Sequence, residues 1–331
     1  MASASGIRRN FFFDALKTAA ILLVIVTHLN MLSNGVARRM ILYFVVNQAV
    51  PLFMMISGFL LAASYSKSCC DGGMPVGRWY MKRILRLLPC CLIVLLTEAF
   101  FFKGEKPLGV FLLQGGDGPG AYYISCFFQA VILFPLLFSL DGPASAIVLN
   151  IAYEIFVRLV GMSSSLYSLL CFRYLVFIAI GIWLFRRQSF RCGMGAIPVA
   201  LAGCTWLLAQ VLGFVKDDGY WLCTNILDAL YIGPVFCFLF SRFSTVSAGG
   251  FIGAVVGAVG KSTWHIFLIQ KVGFELLWHV KPVFLRSAGV RAVVLPMAFV
   301  GIGVLFFMAE QFISSRLSRF AVKGGTRSAL L

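Results

Sequence analysis

Residues 11–32 read FFFDALKTAAILLVIVTHLNML, an apolar run broken by Asp14, Lys17 and His28. A helix of this length is enough to cross a hydrocarbon core about 30 Å thick. Comparable windows recur at 41–64, 84–102, 121–140, 144–161, 169–185, 194–213, 222–240, 251–278 and 290–313, so the chain carries ten candidate spans. Composition agrees with this pattern: of 331 residues 60% are hydrophobic and 12% charged, with a mean hydropathy of +0.94. A soluble domain is roughly 25% charged, which excludes both a soluble enzyme and a disordered chain. The expected fold is all-α, a polytopic membrane protein whose single membrane domain covers residues 1–331. The first run contains Asp14 and Lys17 and has no small-residue cleavage site, so it is expected to be a retained span rather than a signal peptide.

The formal charge is +16. In a soluble protein such a balance would suggest nucleic acid, but cytoplasmic loops of membrane proteins collect Lys and Arg, and no basic aromatic module accompanies the charge. No nucleic-acid partner is expected. With the N-terminus inside, the inner segments hold 14 basic residues and the outer segments 8, which predicts cytoplasmic termini. The natural setting is a multi-pass protein of a cell membrane, expected to be the bacterial cytoplasmic membrane, with lipids as its first partners. Seven of the ten cysteines lie in apolar stretches and read as small core residues. Cys69 and Cys70 have no Cys-x-x-Cys partner or clustered histidine, so no metal is expected there. The residues say nothing of oligomeric state.

A charge inside a span costs about 2.5–3.5 kcal/mol on insertion scales and needs a reason. At about 100° per residue, Asp14 and His28 lie roughly 40° apart and Lys17 and His28 about 20° apart, so all three share one helical face. Asp14 and Lys17 are spaced to pair with each other; their alignment with His28 points to a shared cavity. His28 is the candidate for proton chemistry, because imidazole titrates near neutral pH. His265 and His279 read as a core donor and a boundary residue, neither with an aligned charge partner. Glu154 and Arg158 read as an i, i+4 pair, while Arg173, Asp228, Lys261, Glu275 and Glu310 call for partners on other helices.

Three further stretches are candidates. Ser57-Gly58-Phe59 permits close backbone approach, as helix packing or as a narrow passage. Arg83 and Arg86, at i, i+3 in the stretch 78–89, can face one ligand. Their forked guanidinium groups suit phosphate, and anchoring to anionic headgroups is the competing reading. Tyr122 and Tyr123 enter the fourth span after Gly118-Pro119-Gly120, as interfacial aromatics or as substrate contacts.

Together, Phe13-Asp14-Ala15-Leu16-Lys17 with His28, Val50-Pro51-Leu52-Phe53 running to Ser57-Gly58-Phe59-Leu60, Arg83-Ile84-Leu85-Arg86 with Pro89, Arg173-Tyr174-Leu175, and Gly260-Lys261-Ser262 leading to His265-Ile266-Phe267-Leu268-Ile269 resemble the acyltransferase 3 family of integral membrane acyltransferases. The likeness spans nearly the whole chain. It implies ten spans, Lys17 in the family's Arg/Lys position, His28 as the essential histidine, and Arg83 and Arg86 as the motif associated with the acyl donor. Two departures stand out: Lys17 lacks arginine's bidentate geometry, and Gln270 stands where many members have histidine. An attached extracytoplasmic hydrolase-like domain is not expected.

The implied reaction is O-acylation, most simply O-acetylation, from a cytoplasmic acyl-coenzyme A to a hydroxyl of a cell-surface or exported glycan. No permanently bound cofactor and no metal are expected. His28 would act as base or as transient acyl carrier, with Asp14 and Lys17 beside it in the catalytic set. Arg83, Arg86, Ser57 and Gly58 would serve the donor, and Tyr122 and Tyr123 the acceptor. A transporter or flippase for a polar or lipid-linked substrate is the rival reading, since its path would also need intramembrane charges.

Overall fold

A computed structural model describes residues 11–29, 42–101, 120–140, 142–187, 195–212, 222–280 and 287–325. Every regular element among them is helical: α1 (Phe11–Leu29), α2 (Ala49–Tyr65), α3 (Val76–Phe101), α4 (Ala121–Ser139), α5 (Pro143–Leu159), α6 (Ser164–Leu169), α7 (Leu175–Arg186), α8 (Ala196–Val211), α9 (Leu222–Phe243), α10 (Gly250–Val280) and α11 (Ala288–Gly325). Each of the ten spans read from hydropathy corresponds to one of these helices, with the short α6 added. Among the described residues seven segments are long and apolar enough to cross a membrane; α5, α7 and α8 are shorter, at 17, 12 and 16 residues.

The shortest of these three is the most enclosed. Leu175, Val176, Phe177, Ile178, Ile182 and Leu184 of α7 are all buried, so this helix is apolar on every side because protein surrounds it. It packs most closely on α2. A methyl at Gly58 would collide with the Ile178 carbonyl oxygen, and one at Gly181 with the Met55 carbonyl oxygen, so two glycines let the backbones touch. At the outer surface, Leu85, Ile93, Leu96 and Phe100 of α3 and Met297, Leu305 and Phe312 of α11 are exposed, as expected of side chains that face lipid tails.

Helix α3 begins eight residues before the apolar window at 84, so Arg83 and Arg86 stand on a continuous helix rather than in a loop. Trp79, buried and donating from Nε1 to Ser64 Oγ at 3.2 Å, ties that charged first part to α2. The link between α6 and α7, a short 3-10 turn over Cys171–Tyr174, is held by side chains. Ser125 and Gln129 donate to the Leu169 carbonyl at 3.0 and 2.7 Å, Gln129 Oε1 accepts from Cys171 N–H at 3.0 Å, and Asn150 donates to the Phe172 carbonyl at 2.9 Å. Irregular backbone at membrane depth is tolerated where protein satisfies it in this way, and the arrangement delivers Arg173 and Tyr174 to the interior.

Helix α10 is locked on two sides. A methyl at Gly260 would meet the Asp14 backbone at 2.6 Å, and one at Gly303 would meet Ile266 Cα at 2.6 Å, so α1 and α11 both approach it closely. A buried ion pair joins it to α3: Lys271 Nζ lies 2.6 and 2.7 Å from the two Glu98 carboxylate oxygens, and each side chain is 1% exposed.

Candidate active site

Two cavities lie end to end along α1. The first, about 220 Å³, opens at the Lys17 end and takes Ser57 from α2, Arg83 and Arg86 from α3, and Lys261, His265 and Glu310 from α10 and α11. The second, about 250 Å³, lies at the His28 end with Asn47, Tyr122, Arg173, Tyr174 and Asp228. Lys17 and His28 are 11 residues apart, which is about 16 Å along a helix axis. The common face read for Asp14, Lys17 and His28 therefore serves two chambers and not the shared one expected.

The first cavity is cationic. Lys17 is matched by Asp14, whose Oδ1 lies 2.8 Å from its Nζ. Among the described residues Arg83, Arg86 and Lys261 make no ion pair. The Arg83 guanidinium stands 5.7 Å from the Trp79 ring centre, a contact that directs it without neutralising it. Three positive side chains left uncompensated around one hollow favour an anionic occupant, and arginine's fork fits phosphate oxygens. Ser57 lines this cavity. Gly58 does not; its missing side chain is used against α7.

His265 overturns the reading given to it above. Its Nε2 lies 2.6 Å from Glu310 Oε2, on a helix 45 residues away in sequence, so it does have a charge partner. Cys90 stands nearby, and one ligand atom from each of Cys90, His265 and Glu310 falls within 4.8 Å of the others. The set could hold a metal by count. Glu310 is already engaged by His265, however, and Arg83 and Arg86 line the same cavity, so a dication would enter a positive field.

The second cavity sets one cation, Arg173, and one carboxylate, Asp228, among neutral polar and apolar side chains. The His28 imidazole is half-buried beside Phe274, ring centres 5.4 Å apart, and no described residue hydrogen-bonds to it. Its nitrogens are thus available to a ligand. Asp228 Oδ1 accepts from Gln48 Nε2 at 3.1 Å and from Trp206 Nε1 at 2.9 Å, which fixes the carboxylate against the cavity wall. Arg173 lies against the faces of Tyr174 and Tyr167, 4.9 and 5.3 Å from their ring centres. Tyr122 lines this chamber only, while Tyr123 and Phe267 line both.

Asp14 is buried against Lys17 and belongs to neither cavity lining. The residues that sequence reading singled out thus divide into a cationic group, an imidazole group and packing positions. The contact of His265 with Glu310 and the place of Phe267 in a shared wall escaped it. No spacing could have marked them, because their neighbours come from separate helices.

The family model described as an acyltransferase domain, Acyl_transf_3, matches residues 10–310. No curated protein and no solved structure matches the chain. The matched segment contains every residue of both cavities except Gln311 and runs from just before α1 into α11. With nine-tenths of its length accounted for in this way, the chain belongs to the acyltransferase 3 family of membrane acyltransferases.

Proposed function

We propose that this membrane acyltransferase moves an acyl group, acetyl in the simplest case, from acyl-coenzyme A to a hydroxyl of a cell-surface or exported glycan, in a bacterial cytoplasmic membrane. The observation that carries the reading is the division of the interior into a cationic chamber and an imidazole chamber that meet at one wall. Arg83 and Arg86, with Lys261, hold the phosphates of the donor at the cytoplasmic side. The thioester end extends along α1 toward His28, and the acceptor hydroxyl enters from the opposite side.

A hydroxyl becomes a competent nucleophile when a base takes its proton in the transition state. His28 is that base, having no competing hydrogen bond among the described residues. The acyl–oxygen bond forms, the carbon–sulfur bond breaks, and the thiolate of coenzyme A leaves and takes up the proton, so the imidazole returns to its starting state. The Asp14–Lys17 pair keeps the cytoplasmic half of α1 in register and has no direct contact with the reacting atoms. Family membership removes the reason to prefer a transporter, whose charges would line one continuous path.

The test is chemical analysis of surface glycans from cells that lack the gene and from complemented cells. Ester-linked acyl groups present only after complementation support the reading. Identical glycan acylation in both, together with no label transferred from radioactive acetyl-coenzyme A by the purified protein, overturns it.

A further inference from the structure

The two chambers share Tyr123 and Phe267, whose ring centres lie 5.0 Å apart at 62°, edge to face. A donor anchored at Arg83 and Arg86 whose thioester reaches His28 through the wall common to both chambers passes this pair. We infer that Phe267, closing against Tyr123, is the residue that selects the size of the acyl group. The inference rests on the donor and acceptor assignment above.

The helix that carries Phe267 is closely packed on two sides. Ile266, the residue before Phe267, is held against Gly303 of α11, and six residues earlier Gly260 sits against the Asp14 backbone of α1. Rotation of the rings is therefore the smallest movement that opens the wall. Phe267 is confined on its remaining sides by Trp264, ring centres 5.9 Å apart, and by Gly120, where an added methyl would approach the Phe267 ring to 3.0 Å. Gly120 has φ +79°, a left-handed conformation open to glycine, so the loop backbone closes on the ring at a point that few other residues could occupy. Tyr123 is braced by Phe127, stacked at 6.0 Å. A ring so confined can turn far enough for a two-carbon acyl group long before it clears a long chain.

The same wall has a second effect. Water from the imidazole chamber attacking the thioester would give free acid and coenzyme A thiol with no acceptor modified. A closed pair keeps that chamber away from the bound thioester until the acyl end enters it.

Phe267→Ala, Phe267→Leu and Phe267→Trp, each purified in lipid nanodiscs, test the inference with acetyl-, butyryl- and octanoyl-coenzyme A as donors and washed membranes of the gene-deleted strain as acceptor. Hydrophobic pockets discriminate a methylene by roughly 10- to 200-fold. The ratio of octanoyl to acetyl transfer should therefore rise by at least about tenfold in Phe267→Ala and less in Phe267→Leu. Acceptor-independent thioester hydrolysis should rise with it. Phe267→Trp should slow acetyl transfer, and in all three variants donor affinity, carried mainly by the phosphates at Arg83 and Arg86, should change far less than the chain-length ratio. An unchanged chain-length ratio in Phe267→Ala with normal donor affinity overturns the selector alone. A wild-type protein that transfers none of the three acyl groups overturns the proposed function and the selector together.

Discussion

Lys271→Met should be among the most damaging single changes in the protein, though Lys271 lies in neither cavity. Its ammonium group is 1% exposed and makes two charge-assisted hydrogen bonds of 2.6 and 2.7 Å to a Glu98 side chain that is equally enclosed. Removing the lysine leaves Glu98 as an uncompensated buried charge. Breaking a buried pair in this way costs about 3–5 kcal/mol, whereas replacing both partners with apolar groups is often neutral or stabilising. At about 1.4 kcal/mol per tenfold, the single change lowers the folded population ratio by roughly two to nearly four powers of ten. The double variant Glu98→Leu, Lys271→Met should recover most of that loss. Denaturant or thermal unfolding in one detergent, followed by tryptophan fluorescence, gives the comparison. A single variant within about 1 kcal/mol of wild type would place the pair with solvated surface pairs. A double variant as unstable as the single one would refute the argument from an orphaned charge. Because the pair joins α3 to α10, the damaged variant should also lose acyl transfer, and the double variant should regain part of it.

Arg83→Ala or Arg86→Ala should weaken donor binding more than acceptor use, with lysine at either position restoring only part of the affinity; calorimetric titration with acetyl-coenzyme A checks this. Unchanged affinity in all four variants would instead leave the pair as headgroup anchors. Gly58→Val should destabilise the bundle by more than about 2 kcal/mol, because its side chain meets the α7 backbone and not a flexible neighbour; unfolding curves read the cost. The orientation read from the basic residues predicts that the exposed Cys70, kept as the single cysteine, reacts in intact cells with a permeant maleimide and not with an impermeant one; labelling by both would reverse it.

The residues of α1 carried much of the account before any coordinates. Asp14 and Lys17 are three positions apart on one helix, so their pairing follows from helical geometry alone, and His28 on the same face follows by the same rule. Arg83 and Arg86 were legible for the same reason. The start of α3 was not, because hydropathy windows miss an amphipathic first part in which Trp79 is the anchor. The window 169–185 also took in the 3-10 turn that leads into α7. The turn's backbone is fixed by Gln129 and Asn150 from two other helices, which no local pattern records. His265 with Glu310, separated by 45 residues, and Glu98 with Lys271, separated by 173, are products of packing. The division into two chambers is another: it depends on where Tyr123 of α4 meets Phe267 of α10, and without it the aligned face of α1 reads as one cavity.

The central claim is that His28 handles the acceptor proton while the cationic chamber binds the donor. Its most direct test measures both on one variant: donor affinity and single-turnover acyl transfer by purified His28→Ala with radioactive acetyl-coenzyme A and membrane acceptor. The account predicts wild-type donor affinity and thermal stability, with transfer reduced by about 100-fold or more, the usual contribution of a positioned base. Near-normal transfer in a variant that still binds the donor would contradict it and return His28 to a structural role.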